Sequence, residues 1–115
     1  MSDYLAALIV IVRHRAADLI ERGDWWQATM NTPGGRGPRG QRCASVALLD
    51  AAVAVGRTWE DREWLLRMAR AEVLRELRAQ GGGAVTLADW NDTAERTKDE
   101  VLAALRGGQA EHWTW

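Results

Sequence analysis

The chain has 115 residues, 47% apolar and 27% charged, which suits one domain with its own hydrophobic core and excludes wholesale disorder. Its formal net charge of -1 excludes a global field that would draw it to nucleic acid or to an anionic membrane. Cys43 is the single cysteine, which excludes an internal disulfide and suits a reducing cytoplasm.

A first helix is expected from Ser2 or Asp3 to about Arg22, with Leu5, Leu8, Val12, Ala16 and Leu19 repeating at helical spacing along one face. The apolar run Leu5 to Val12 follows Asp3 rather than a basic flank and ends at Arg13-His14-Arg15. It is therefore too short for a membrane span, which needs about 20 apolar residues, and wrongly flanked for a signal peptide. Gly23 stops the helix, and Trp25-Trp26-Gln27 reads as a short turn or strand-like piece folded back on it.

Residues 31–41 hold Pro33, Gly34, Gly35, Gly37, Pro38 and Gly40 and are expected to form a mobile surface loop punctuated by arginines. A second helix is expected from near Gln41 and is almost continuously apolar from Ala44 to Val55, which places it in the centre of a bundle. Gly56 ends it, and Thr58 with Asp61 forms a capping-box-like start for a third helix reaching about Ala79. Leu66, Ala69, Val73 and Leu77 are its expected inner stripe, with Arg67, Arg70, Arg75 and Arg78 alternating with Glu72 and Glu76 outside.

Gly81 to Gly83 break the chain again, and Thr86 caps a short turn carrying Trp90. Asp92, with Glu95 three residues on, is the expected cap of a last helix that buries Val101, Leu102 and Leu105 and ends at Gly107-Gly108. A Trp-rich tail follows, ending in His112-Trp113-Thr114-Trp115. The expected fold is an all-α, single-domain bundle of four main helices, with a Gly/Pro/Arg-rich loop and a Trp-rich tail.

Seven tryptophans against one tyrosine and no phenylalanine favour half-buried positions and interfaces, because indole joins a large apolar face to one N–H donor. Trp25, Trp26, Trp59, Trp64 and Trp90 could line an aromatic pocket or a partner surface. Core filling at helix junctions is the weightier explanation for Trp26, Trp64 and Trp90, while Trp113 and Trp115 suit docking and partner contact equally. Arg36, Arg39 and Arg42 could follow a nucleic-acid backbone, but the loop has no interleaved aromatic and the remainder of the chain is acidic. The loop also lacks the Gly-Lys-Ser/Thr ending of a phosphate loop.

His14 and Asp18 lie one turn apart with no accompanying nucleophile, so a carboxylate-held surface histidine outweighs an acid–base pair. Cys43 opens the most apolar helix, where free cysteine usually serves as a small apolar residue, although a helix start can also activate a thiol. Cys43, His14 and His112 do not have metal-ligand spacing, and no cofactor is implied. Asp89, Asp92, Glu95, Asp99 and Glu100 crowd the start of the last helix, where capping and the helix dipole account for acids. Lys98 is the lone lysine among many arginines, which suits a GC-rich genome such as that of an actinobacterium or its phage.

Three segments together resemble a known family. Ala16-Ala17-Asp18-Leu19-Ile20-Glu21-Arg22 with Trp25-Trp26-Gln27 comes first, then Cys43-Ala44 leading to Val46-Ala47-Leu48 and Ala51-Ala52. Trp90-Asn91-Asp92 with Arg96-Thr97 and Glu100-Val101-Leu102 closes the series. In this order they resemble DUF6197, a family of small proteins of unknown function from actinobacteria and their phages. The resemblance implies an intracellular helical protein and carries no catalytic residues across.

The expected function is a non-enzymatic module binding a protein partner, in the setting of a phage accessory protein acting on a host or defence component in the cytoplasm. Trp25, Trp26, Trp90, Asn91, Arg96, Trp113 and Trp115 are the candidate contact residues, and a homodimer through exposed Trp faces is a further expectation. The alternatives are a small-ligand or nucleotide pocket around Trp25, Trp90, Asn91 and Arg96, or weak nucleic-acid binding through the arginine loop. For Asn91 and Arg96, a hydrogen-bonded brace outweighs a ligand contact.

Overall fold

The structure is a computed structural model that describes residues 3–28, 36–81 and 86–107. Five helices follow in order: α1 Asp3–Arg22, α2 Ala44–Val55, α3 Trp59–Ala79, α4 Leu87–Asn91 and α5 Lys98–Arg106. The fold is all-α, with four long helices and the five-residue α4 as a fifth. Among the described residues no helix is long and apolar enough to cross a membrane.

α1 and α2 pack together along their length, α3 closes one side, and α5 lies across α1. Ile9, Val12, Ala16, Ala17 and Ile20 form the buried face of α1. The alanines of α2 at 44, 47, 51 and 52 are fully buried and allow this close approach. The expectation that α2 is central on nearly every side needs correction, because Leu49 and Val53 face solvent. On α3 the inner stripe runs Leu65, Ala69, Val73 and Leu77; Leu66, expected there, is only half-buried.

Hydroxyls set three of the helix starts. Thr58 Oγ1 accepts the Asp61 N–H at 3.1 Å, and Thr86 Oγ1 accepts the Asp89 N–H at 3.0 Å. α5 begins at Thr97 and not at Asp92, so the expected cap was displaced by five residues. Thr97 Oγ1 accepts the Glu100 N–H at 3.2 Å while Glu100 Oε1 accepts the Thr97 N–H at 2.9 Å, a full capping box. That backbone donor holds the Glu100 carboxyl below its ordinary range. Asp92 instead ends α4, and Glu95 turns the chain with a left-handed φ of 72°. Thr97→Ala is expected to cost about 1 kcal/mol, read as a loss of roughly 4 °C in Tm, whereas Glu95→Gly is expected to be neutral or mildly stabilising.

A buried arginine locks α1 to α3 and α5. Arg13 occupies a core position between Val12 and Ala16 and is 4% exposed. Its Nε donates to Leu105 O at 3.0 Å and its Nη2 to Ala104 O at 2.9 Å, the latter carbonyl also accepting the Gly107 N–H at 3.2 Å. Its guanidinium also pairs with Glu72 and, at 2.7 Å, with Glu76. Glu72 and Glu76 therefore turn inward, contrary to the expectation that they lie outside among the arginines. Burial opposes the charge on Arg13, but the bonds to Glu76 and Glu72 raise its pKa above the ordinary value. Gly107 closes α5 at φ 79°, and a Cβ there would stand 2.9 Å from Arg13 Nη2, so glycine answers two constraints at once.

Candidate functional site

The Trp-Asn-Asp segment builds a junction of three chain segments. α4 delivers Asn91 into the interior, where it is fully buried. Its Oδ1 accepts the Trp25 indole N–H at 2.7 Å and the Ala44 N–H at 2.9 Å. Its Nδ2 donates to Trp26 O and to Asp92 Oδ1, both at 2.9 Å. All four hydrogen-bonding positions of the carboxamide are thus engaged within the protein.

Neighbouring groups extend the same lacing. Gln27 Nε2 donates to Asn91 O at 3.0 Å and Thr93 O at 2.9 Å, and Asp92 Oδ1 accepts the Ala28 N–H at 3.0 Å. On its other side the 24–26 segment pairs with Arg42. The Trp26 N–H donates to Arg42 O at 3.0 Å and the Arg42 N–H to Asp24 O at 3.2 Å. The strand-like piece expected at Trp25-Trp26-Gln27 is therefore present as a single parallel bridge. A Cβ on Gly37 would lie 2.6 Å from the Trp26 ring, so only glycine admits the indole here.

Arg96 is also engaged. Its guanidinium lies 4.1 Å from the Trp90 ring centroid, its Nε donates to Trp90 O at 3.1 Å, and its Nη1 meets Glu100 at 3.1 Å. Trp90 is buried, and Trp25 and Trp26 are half-buried against the same junction. The structure brings Trp25, Trp26, Trp90, Asn91 and Arg96 together as a brace between the segment that follows α1, the start of α2 and α4. Trp113 and Trp115 lie outside the described residues.

The remaining candidates sit apart. Arg36 Nη2 meets the two Asp50 oxygens at 2.9 and 3.0 Å, and Arg42 Nε meets Asp50 Oδ2 at 2.6 Å. Arg39 projects to solvent from the turn at 37–40. Burial opposes the charge on Asp50, but Arg36 and Arg42 outweigh it and hold the carboxyl below its usual range. A depressed carboxyl stabilises the fold above its unfolded-state pKa and ceases to do so as pH falls through the folded value. Asp50→Asn is therefore expected to cost up to about 1 kcal/mol at neutral pH, in urea unfolding, and nothing in strong acid.

Cys43 is buried as the N-cap of α2, its Sγ accepting the Val46 N–H at 3.4 Å, and burial raises its pKa. The thiol therefore does not have the environment of an activated nucleophile. His14 and Asp18 are exposed on the outer face of α1, with Asp18 3.8 Å from Arg106 Nη2. Among the described residues no three His, Cys, Asp or Glu side chains converge as a metal site.

Arg13, Glu72, Glu76 and Gln27 are bracing residues that are not among the candidate site residues read from the sequence. One signal was available: Arg13 interrupts the series Ile9, Val12, Ala16, Ala17 and Ile20, so it stands on a face that is otherwise wholly apolar. Its partners lie 59 and 63 residues away and carry no local signal.

The model of a family of unknown function, DUF6197, matches residues 9–111. The chain belongs to DUF6197. The match takes in every junction residue from Trp25 to Arg96 and the Arg13 lock, so the resemblance read from the sequence is established. No curated protein matches this DUF6197 chain, and no solved structure matches it.

Proposed function

We propose that this DUF6197 chain is a non-enzymatic interaction module whose ligand is a protein, bound by outward apolar side chains and not by the junction. One observation carries the proposal: large apolar groups remain in solvent although the bundle has a closed core. Trp59 is 73% exposed and Tyr4 68%, with Val10 and Ile11 on α1 and Leu49 and Val53 on α2 also outward. Exposed aromatic and branched side chains are the material of interface anchors. The engagement of Asn91 and Arg96 within the brace supports the same conclusion by removing polar groups from a ligand pocket. A cytoplasmic setting, and an accessory role for a phage against a host component, rest on the family resemblance and on the lone cysteine. The neighbouring genes test that setting.

Ile11→Asp and Trp59→Ala are expected to keep the helical circular-dichroism spectrum and to abolish a saturable complex, either with a second copy in sedimentation or with a cross-linked protein partner. Complex formation unchanged by both substitutions would overturn the proposal. So would a metabolite that raises Tm in place of any protein partner, as ligand linkage requires.

A further inference from the structure

Arg70 is a half-buried arginine with no acidic partner among the described residues. It points from α3 toward the start of α2. Its Nε is buried without a hydrogen-bond partner, and its nearest acceptor, Ser45 O, is a marginal 3.5 Å from Nη2. The positions three and four residues away on α3 are Leu66, Arg67, Val73 and Leu74, none of them acidic. The first turn of α2 also has no acidic residue, so its positive end adds to the charge of Arg70. Glu72 and Glu76, the acids nearest in sequence, are committed to Arg13. Burial pushes the Arg70 guanidinium below its ordinary pKa.

Beside this guanidinium lies a solvent-open cavity of about 340 Å³, lined from α2, α3 and the start of α4. Ala71, Leu74, Leu87 and Ala88 give it apolar walls, and Ser45 and Thr86 stand among them. Its size falls in the range of small-molecule sites. A guanidinium fork suits the two oxygens of a carboxylate, and a single cation matches a single negative charge. A phosphate dianion would need further charged donors, and the side chains of Ala71, Leu74, Leu87 and Ala88 supply none.

We propose that the Arg70 cavity binds a small monocarboxylate with an apolar body, the carboxylate on the arginine fork and the body against Leu74 and Leu87. Its lining includes none of the outward apolar residues assigned to a protein partner. Among the described residues Arg70 makes one marginal hydrogen bond, whereas Arg13 makes bonds to two carboxylates and two carbonyls. An unpaired, partly desolvated cation is the kind of cost that a binding site retains.

Titration of the full chain with benzoate, followed by amide and arginine Nε–H chemical shifts, tests the proposal. Saturable binding is expected with a Kd on the order of 1 mM or tighter. Arg70→Met should weaken it by roughly ten- to a hundredfold, the fold-change carried by hydrogen bonds to a charged group, while leaving Tm unchanged or higher. Arg70→Lys keeps the charge but lacks the fork and should also weaken binding, so the test stands even if Arg70→Met fails to fold. Absence of saturation, equal binding of benzamide or inorganic phosphate, or benzoate binding unaltered in Arg70→Lys would each overturn it.

Discussion

Arg13→Met is expected to lower stability by about 3 kcal/mol, and Tm by roughly 12 °C, making it among the most damaging single substitutions in the chain. The side chain is 4% exposed and ties α1 to two carboxylates on α3 and two carbonyls at the end of α5. Methionine fills much of the volume, so the loss comes from what remains. Glu72 and Glu76 would face one another without a cation, Leu105 O would lose the Arg13 donor, and Ala104 O would keep only the Gly107 N–H. Breaking a buried pair costs about 3–5 kcal/mol, and the lower end applies because the glutamates remain 27% and 33% exposed and keep some water. Adding Glu72→Gln and Glu76→Gln to Arg13→Met should recover much of the loss, since both uncompensated charges then disappear. Thermal unfolding of the single and triple variants measures this. A triple variant no better than the single would mean that packing, not charge, dominates.

Asn91→Ala is expected to cost a further class of interaction, also about 3 kcal/mol. The Trp25 indole N–H, the Ala44 N–H and Trp26 O would lose their partner in a dry interior. A buried donor or acceptor left open costs about 1–3 kcal/mol, and collapse around the small cavity recovers only part. Asn91→Asp separates hydrogen bonding from volume. It keeps the size but presents an oxygen to Trp26 O and Asp92 Oδ1 where the amide donated. It should therefore destabilise as much as alanine does in urea unfolding, and parity with the parent chain would refute the brace.

Much of the fold was legible because its signals are local. The helix ends at Gly23, Gly56 and Gly107 and the starts at Thr58 and Thr86 need only a few consecutive residues. The start of α5 was misplaced because Asp92 with Glu95 repeats the spacing of Thr97 with Glu100, and both pairs satisfy the capping pattern. Tertiary structure decides between them: Asp92 is drawn into the junction by the Ala28 N–H and the Asn91 amide. The same holds for the candidate site. Trp90, Asn91 and Arg96 stood out by residue type, but whether their polar groups face inward or outward depends on Trp25, Trp26 and Ala44, which only the fold brings near. Arg70 and Arg13 look alike in sequence, as arginines beside an apolar stripe. Among the described residues Arg13 meets two carboxylates and Arg70 none, a difference set by partners far away in sequence.

The Trp-Asn-Asp junction acts as an internal brace. Native-state hydrogen exchange of the Trp25 indole N–H, assigned with Trp25→Phe, tests it most directly. The brace predicts exchange only through global unfolding, with the same free energy as the Leu48 amide in the core of α2. Exchange orders of magnitude faster than that amide would show a junction that opens on its own, and would contradict the claim.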